Sequence, residues 1–206
     1  MATKSRLSCA CFLTVLILVG KNAAASCLPE FPFDIQPQTI SISGTWSYDI
    51  GFTRVSGYNV TLKIQLSGFD PGPVVKELWK ISTEKIWTTR DRFNVPIVVN
   101  VQFVEKNAHV LVDVTEGPGR STHFIWYTGS GNPVPHEVGH MFRNFDEYPG
   151  GFVNLDGSFG NVPGGLMGSG QTMFDRYYQF VADWAATQEG AVPTPCQTYL
   201  TQHDSR

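Results

Sequence analysis

The chain has 206 residues, of which 42% are hydrophobic, 13% aromatic and 16% charged. That composition supports one ordinary core and excludes wholesale disorder. With 15 basic against 18 acidic residues and no basic run, it also excludes a nucleic-acid partner held by net positive charge.

Lys4 and Arg6 precede an apolar run, Leu7 to Gly20, of fourteen residues. A membrane span needs about 20. Lys21 and Asn22 break the run, and Ala23-Ala24-Ala25 offers small residues for cleavage. The pattern predicts a secretory signal peptide over 1–25 and a single domain over 26–206. It implies a secreted protein, or a periplasmic one in a bacterial host, with no membrane association once the signal is gone. Cleavage removes Lys4, Arg6 and Lys21 and leaves 12 basic against 18 acidic residues. Cys9 and Cys11 leave with the signal. Cys27 and Cys196 remain, and two cysteines in an oxidising compartment predict one disulfide. The competing reading makes Cys27 a free thiol that caps a metal site. Asn59-Val60-Thr61 is a glycosylation sequon.

Residues 26–37 are Pro-rich and read as an extended arm. Thr39–Ser47 reads as a strand. Asn59–Ser67 alternates strictly, with Val60, Leu62, Ile64 and Leu66 on one face, and predicts a half-buried strand. After the turn at 69–73, Val74–Trp87 reads as an amphipathic helix whose apolar residues are Val74, Val75, Leu78, Ile81 and Trp87. Strands are expected over Val95–Val104, His109–Val114 and Thr122–Tyr127. A short helix follows from about Val134 to Arg143. The stretch from Pro149 to Gly170 holds eight glycines and predicts a long functional loop. A last amphipathic helix runs from Asp175 to Gln188, with Tyr178, Val181, Ala182, Trp184 and Ala185 on its apolar face. These elements predict an α+β fold, a mixed sheet with helices packed on it in a sandwich-like α/β manner.

The chemistry concentrates in His136-Glu137-Val138-Gly139-His140. Helix positions i and i+4 lie on one face, so two imidazoles converge on one metal ion. Glu137 is placed to act on water beside the metal rather than to bind it. A catalytic site needs a third protein ligand. Asp146 follows His140 by six residues and reaches the metal only if the chain turns sharply after about Arg143.

The run His136 to Asp146 resembles the HExxHxxGxxH motif of the metzincin clan of zinc endopeptidases. The snapalysin-like variant, with Asp as third ligand, is the nearest form. Leu166-Met167-Gly168 stands in a Gly-rich turn 21 residues after Asp146. That is where metzincins carry the methionine beneath the metal. The specific likeness spans about 35 residues, His136 to Gly170. It implies a twisted mixed sheet with a packed helix, an active-site helix, a Met-turn loop and a C-terminal helix.

The resemblance further implies Zn2+ held by His136, His140 and Asp146, with Glu137 as general base in peptide hydrolysis and Met167 as the Met-turn residue. The substrate would be a protein or peptide, paired with the edge strand Thr122–Tyr127. The alternative is a secreted module of the same architecture without turnover. Two residues depart from the family pattern. Arg143 stands where the family has Gly, so the turn either forces Arg143 into a left-handed conformation at about 1–2 kcal/mol or slips to Asn144. A slip would make Glu147 the third ligand in place of Asp146. Pro135 directly precedes His136, which a first helical turn accepts. Tyr148, Tyr177 and Tyr178 are the candidates to assist at the developing oxyanion. His109, His123 and His203 read as ordinary residues. Asn154-Leu155-Asp156-Gly157, beside Glu147, offers hard oxygen ligands of the kind Ca2+ takes, or forms an Asx–Gly turn. The sequence leaves the oligomeric state open.

Overall fold

The computed structural model describes residues 28–42, 44–90, 92–148 and 164–190. The signal-peptide prediction, Cys27, Cys196, His203 and the Asn154–Gly157 segment lie outside them. Among the described residues, no helix is long and apolar enough to cross a membrane.

The fold is α+β. Six strands form one mixed sheet: β1 (Ile35–Ile42), β2 (Trp46–Thr53), β3 (Gly57–Gly68), β4 (Ile97–Phe103), β5 (Val110–Thr115) and β6 (Ile125–Tyr127). The helices are α1 (Gly72–Trp87), α2 (Val134–Met141) and α3 (Gln179–Ala186), the last entered through a 3-10 turn at Asp175–Tyr178.

The long strand β3 organises the sheet. Its first half pairs antiparallel with β2 on one side and parallel with β4 on the other. Its second half pairs parallel with β5, and β6 adds parallel to β5. β2 and β5 therefore lie end to end along one side of β3, where the Ser47 amide donates to the His109 carbonyl at 3.0 Å. Alternation puts Tyr48, Ile50 and Phe52 of β2, Val60, Leu62 and Ile64 of β3 and Ile97, Val99 and Val101 of β4 into one core. The helices cover that face.

The strand expected at 39–47 is two elements. β1 ends at Ile42, the chain turns at Gly44-Thr45, and β2 begins at Trp46. The extended arm is also partly strand, because β1 begins at Ile35. Pro37 lies within a register shift of that edge strand, where a missing amide is tolerated. Gly51 of β2 makes the shift fit: a Cβ there would meet the Ile35 carbonyl oxygen at 2.8 Å and the Pro37 nitrogen at 2.9 Å.

α1 buries Trp87 as expected and packs Val75 partly against the core, but the rest of the expected apolar face turns outward. Val74, Leu78 and Ile81 are exposed, and Trp79, Thr83 and Trp87 are buried. These three recur at helical spacing and form one stripe. Thr83 is tolerated there because its hydroxyl donates to the Trp79 carbonyl at 2.7 Å. Two large indoles at i and i+8 bury more area than three aliphatic side chains spread over the opposite face. α3 buries Val181, Ala182, Trp184 and Ala185 as expected, and Tyr178 is buried just before it.

Candidate functional site

α2 begins with Pro133, Val134 and Pro135. Pro135 sits in the first turn, where its missing amide costs no helical bond. Its carbonyl accepts from the Trp87 indole at 2.8 Å, so the end of α1 pins the start of α2. At the other end the Trp46 indole donates to the Met141 carbonyl at 3.2 Å. The helix is thus fixed at both ends by side chains of other elements.

The turn after α2 does not slip. Arg143 has φ +69°, the left-handed conformation. The Arg143 amide donates to the His140 carbonyl at 2.9 Å and the Asn144 amide to the Gly139 carbonyl at 3.0 Å. That pair of bonds is a complete Schellman cap with Arg143 in the glycine position. The Asn144 side chain reinforces it, donating to the carbonyls of Gly139 at 3.2 Å and Tyr177 at 3.1 Å.

The cap brings Asp146 back under the helix. Its Oδ1 lies 3.0 Å from His136 Nε2 and 3.2 Å from His140 Nε2. The far sides of both rings are fixed by the backbone. His136 Nδ1 bonds the Leu166 carbonyl at 2.7 Å and His140 Nδ1 the Asn144 carbonyl at 2.8 Å. A carbonyl only accepts, so each Nδ1 carries the proton. In a neutral ring each Nε2 then presents a lone pair. Two imidazole nitrogens and a carboxylate oxygen thus converge on one point, a donor set suited to a metal ion. Donors about 2.0–2.1 Å from a tetrahedral ion stand about 3.3 Å apart, close to the two spacings observed.

Glu137 completes the cluster. Its carboxylate and the two imidazole donors all lie within 4.8 Å of one another. It is only 5% exposed. Its Oε2 is buried without a hydrogen-bond partner among the described residues. Burial pushes this carboxyl well above the usual range; His136 and Arg120 pull it down and Asp146 raises it. Burial likewise holds His140 and His123 below the usual histidine value.

Glu147, the alternative third ligand, points elsewhere. It accepts from the Tyr177 hydroxyl at 2.5 Å and pairs with Arg176 Nη2 at 2.6 Å. Its amide donates to the Met167 carbonyl at 2.7 Å, tying this strut to the loop below the helix. Met167 is fully buried beneath α2. A Cβ on Gly139 would meet its sulfur at 2.3 Å, so Gly139 lets the thioether reach the helix backbone between the two histidines.

Of the three candidate tyrosines, only Tyr148 lines the cleft. Tyr177 is bonded to Glu147, and the Tyr178 hydroxyl donates to the Trp87 carbonyl at 3.0 Å. Tyr148 lies nearly parallel to His136, ring centres 6.4 Å apart, and its hydroxyl accepts from Arg120 Nη2 at 2.7 Å. Arg120 and His123 are cleft residues that sequence reasoning missed. They come from the loop before β6, and no local pattern marks them. The cleft has a volume of about 710 Å3.

The strand expected over Thr122–Tyr127 is shorter in the structure: β6 is only Ile125–Tyr127. Ile125 exchanges backbone bonds with Thr122 at 3.2 and 2.8 Å, and the Tyr127 amide donates to the Ser121 hydroxyl at 3.2 Å. The segment folds back on itself. Asn59, in the sequon, stands half-buried within β3, and its amide donates to Ser56 Oγ at 3.0 Å and the Gly57 carbonyl at 2.9 Å.

Compared with protein-family models, with curated proteins and with solved structures, the chain matches nothing.

Proposed function

We propose that the protein is a secreted zinc-dependent endopeptidase of metzincin-like architecture. The observation that carries this reading is the convergence of His136 Nε2, His140 Nε2 and Asp146 Oδ1 on one point, with both Nδ1 atoms held by backbone carbonyls. Two nitrogens and one carboxylate oxygen are donors that suit zinc. Glu137 Oε2, without a hydrogen-bond partner among the described residues, fits a base that waits for water. The Schellman turn at Arg143 and the buried Met167 under α2 support the metzincin likeness.

Zinc held by these three residues would supply Lewis acidity, polarising a carbonyl and acidifying water near pH 7. Glu137 accepts the proton of the attacking water and delivers it to the leaving amine, so the proton lost by water ends on the new amino terminus. The Leu166 and Asn144 carbonyls keep both rings oriented through the cycle. Tyr148, held by Arg120, stands beside His136 where charge develops. Secretion through cleavage after Ala25 and a Cys27–Cys196 disulfide belong to the same reading.

The test is hydrolysis of a quenched peptide library by zinc-loaded protein, beside Glu137→Gln. Hydrolysis should fall about 10²- to 10⁴-fold in the variant while bound zinc is unchanged. Zinc retained in both proteins, with no hydrolysis by either, would leave a metal-binding module without turnover.

A further inference from the structure

The ring groups on the cleft wall form a connected set of neighbours. Trp46 lies at the C-terminal end of α2, its ring 5.2 Å from His123. His123 is 5.8 Å from His140, and His140 is 5.0 Å from His136. Tyr148 follows His136 at 6.4 Å, and the Arg120 guanidinium lies 5.6 Å from the Tyr148 ring centre. The cleft wall therefore carries an apolar group, Trp46, and a cationic one, Arg120. The other arginine on its wall, Arg143, is directed to Asp183 at 3.8 Å. Arg120 has no ion pair among the described residues.

Arg120 is held in place from its own backbone. The Gly117 amide donates to Thr128 Oγ1 at 3.1 Å and the Gly119 amide to Ser130 Oγ at 2.8 Å. The Gly129 amide donates to the Gly117 carbonyl at 2.8 Å. Gly119 lies on the face of Tyr127, where a Cβ would stand 2.3 Å from the ring. The loop is thus clamped onto the segment after β6, and the Tyr148 hydroxyl fixes the guanidinium beyond it. A planar, tethered guanidinium without a carboxylate partner is suited to bidentate capture of one.

We propose that Arg120 is a specificity-determining residue, selecting peptides that place a carboxylate beside Tyr148 and an apolar side chain against Trp46. The inference rests on the reading of the cleft as a peptide-binding site. The carboxylate is either an acidic side chain or a free C-terminus, and both offer the same chemistry to Arg120.

The experiment is equilibrium binding of fluorescent peptides to zinc-supplied Glu137→Gln protein, with hydrolysis by the wild type measured in parallel. Three probes share one apolar sequence: a free C-terminus, an amidated peptide with an internal Glu, and an amidated peptide with Gln in its place. One or both acidic probes should bind roughly five- to tenfold tighter than the neutral one, the size of a partly screened charge-assisted pair. The probe that gains identifies the carboxylate as terminal or side-chain. Adding Arg120→Gln should abolish the gain, and Arg120→Lys should keep part of it. Equal binding of all three probes, or a gain that survives Arg120→Gln, overturns the proposal. Hydrolysis without acidic preference removes this inference alone. Acidic preference without hydrolysis removes the endopeptidase reading and leaves Arg120 as the carboxylate-binding residue.

Discussion

Arg143 shows how one residue tolerates a conformation it disfavours. At φ +69° it carries a steric cost of about 1–2 kcal/mol that glycine avoids. Glycine would in turn lose about 0.5–1 kcal/mol through its freer unfolded state. The exposed contact with Asp183 at 3.8 Å adds little against either. Arg143→Gly is therefore expected to stabilise the protein by about 0.5–1 kcal/mol without loss of zinc. Urea unfolding checks it, and a variant less stable than the parent would show that the cap depends on the arginine side chain. The identity of His136, Glu137, His140 and Asp146 as a cluster was legible in the sequence because their meeting is local: one helical turn and one tight cap bring them together. Arg120, His123 and Tyr148 were not legible as a cleft wall. They reach the same place from different loops, and only the folded loop before β6 puts them side by side.

At the scale of elements, α2 is a short helix whose position depends on what fills the space beneath it. Gly139→Ala improves helix propensity by about 1 kcal/mol. The new methyl, however, would stand 2.3 Å from Met167 Sδ and 3.1 Å from Trp87 Cζ2, both within the core. Overpacking of that kind costs about 1–3 kcal/mol. The steric effect should win, with a lower melting temperature and weaker zinc retention in Gly139→Ala; an increase in melting temperature would mean that Met167 moves freely. The strands β3, β4 and β5 were readable because Val, Ile and Leu alternate without interruption. β2 was not, because Asp49 and Gly51 stand between its core residues Tyr48, Ile50 and Phe52. Their reasons are non-local: Gly51 makes room for β1, and Asp49 bonds Thr39, Lys63 and His109 across three strands. The face of α1 was legible only in part: Trp87 is buried as expected, whereas Val74, Leu78 and Ile81 are exposed and the unexpected Trp79 packs edge-on against Trp126 of β6.

Across the whole molecule, burial sets how stability follows pH. Burial holds His109, His123 and His140 below the ordinary value of 6.5. A base with a depressed folded pKa contributes stability that is fully present above 6.5 and lost as pH falls through the folded value. Asp49 adds a second step. Burial raises it, but hydrogen bonds from Lys63 and Thr39 and the charges of His109 and Lys63 outweigh that and hold it below 3.8. Its contribution is present above 3.8 and lost below. Glu137, whose carboxyl burial raises, acts in the opposite sense between about pH 7 and its ordinary value, so the test uses Glu137→Gln: the melting temperature of that metal-free variant should fall between pH 7.5 and pH 5 and again below pH 4. His109→Gln should flatten the first slope whatever its absolute stability. A melting temperature that rises on acidification in the Glu137→Gln background would contradict the burial of these rings.

The most direct measurement is zinc content by mass spectrometry on the purified mature protein, beside His140→Ala. One zinc per chain in the parent, absent from the variant, is the predicted result. No zinc in the parent after reconstitution, or zinc that survives loss of His140, would mean that the two imidazoles and Asp146 do not form a metal centre.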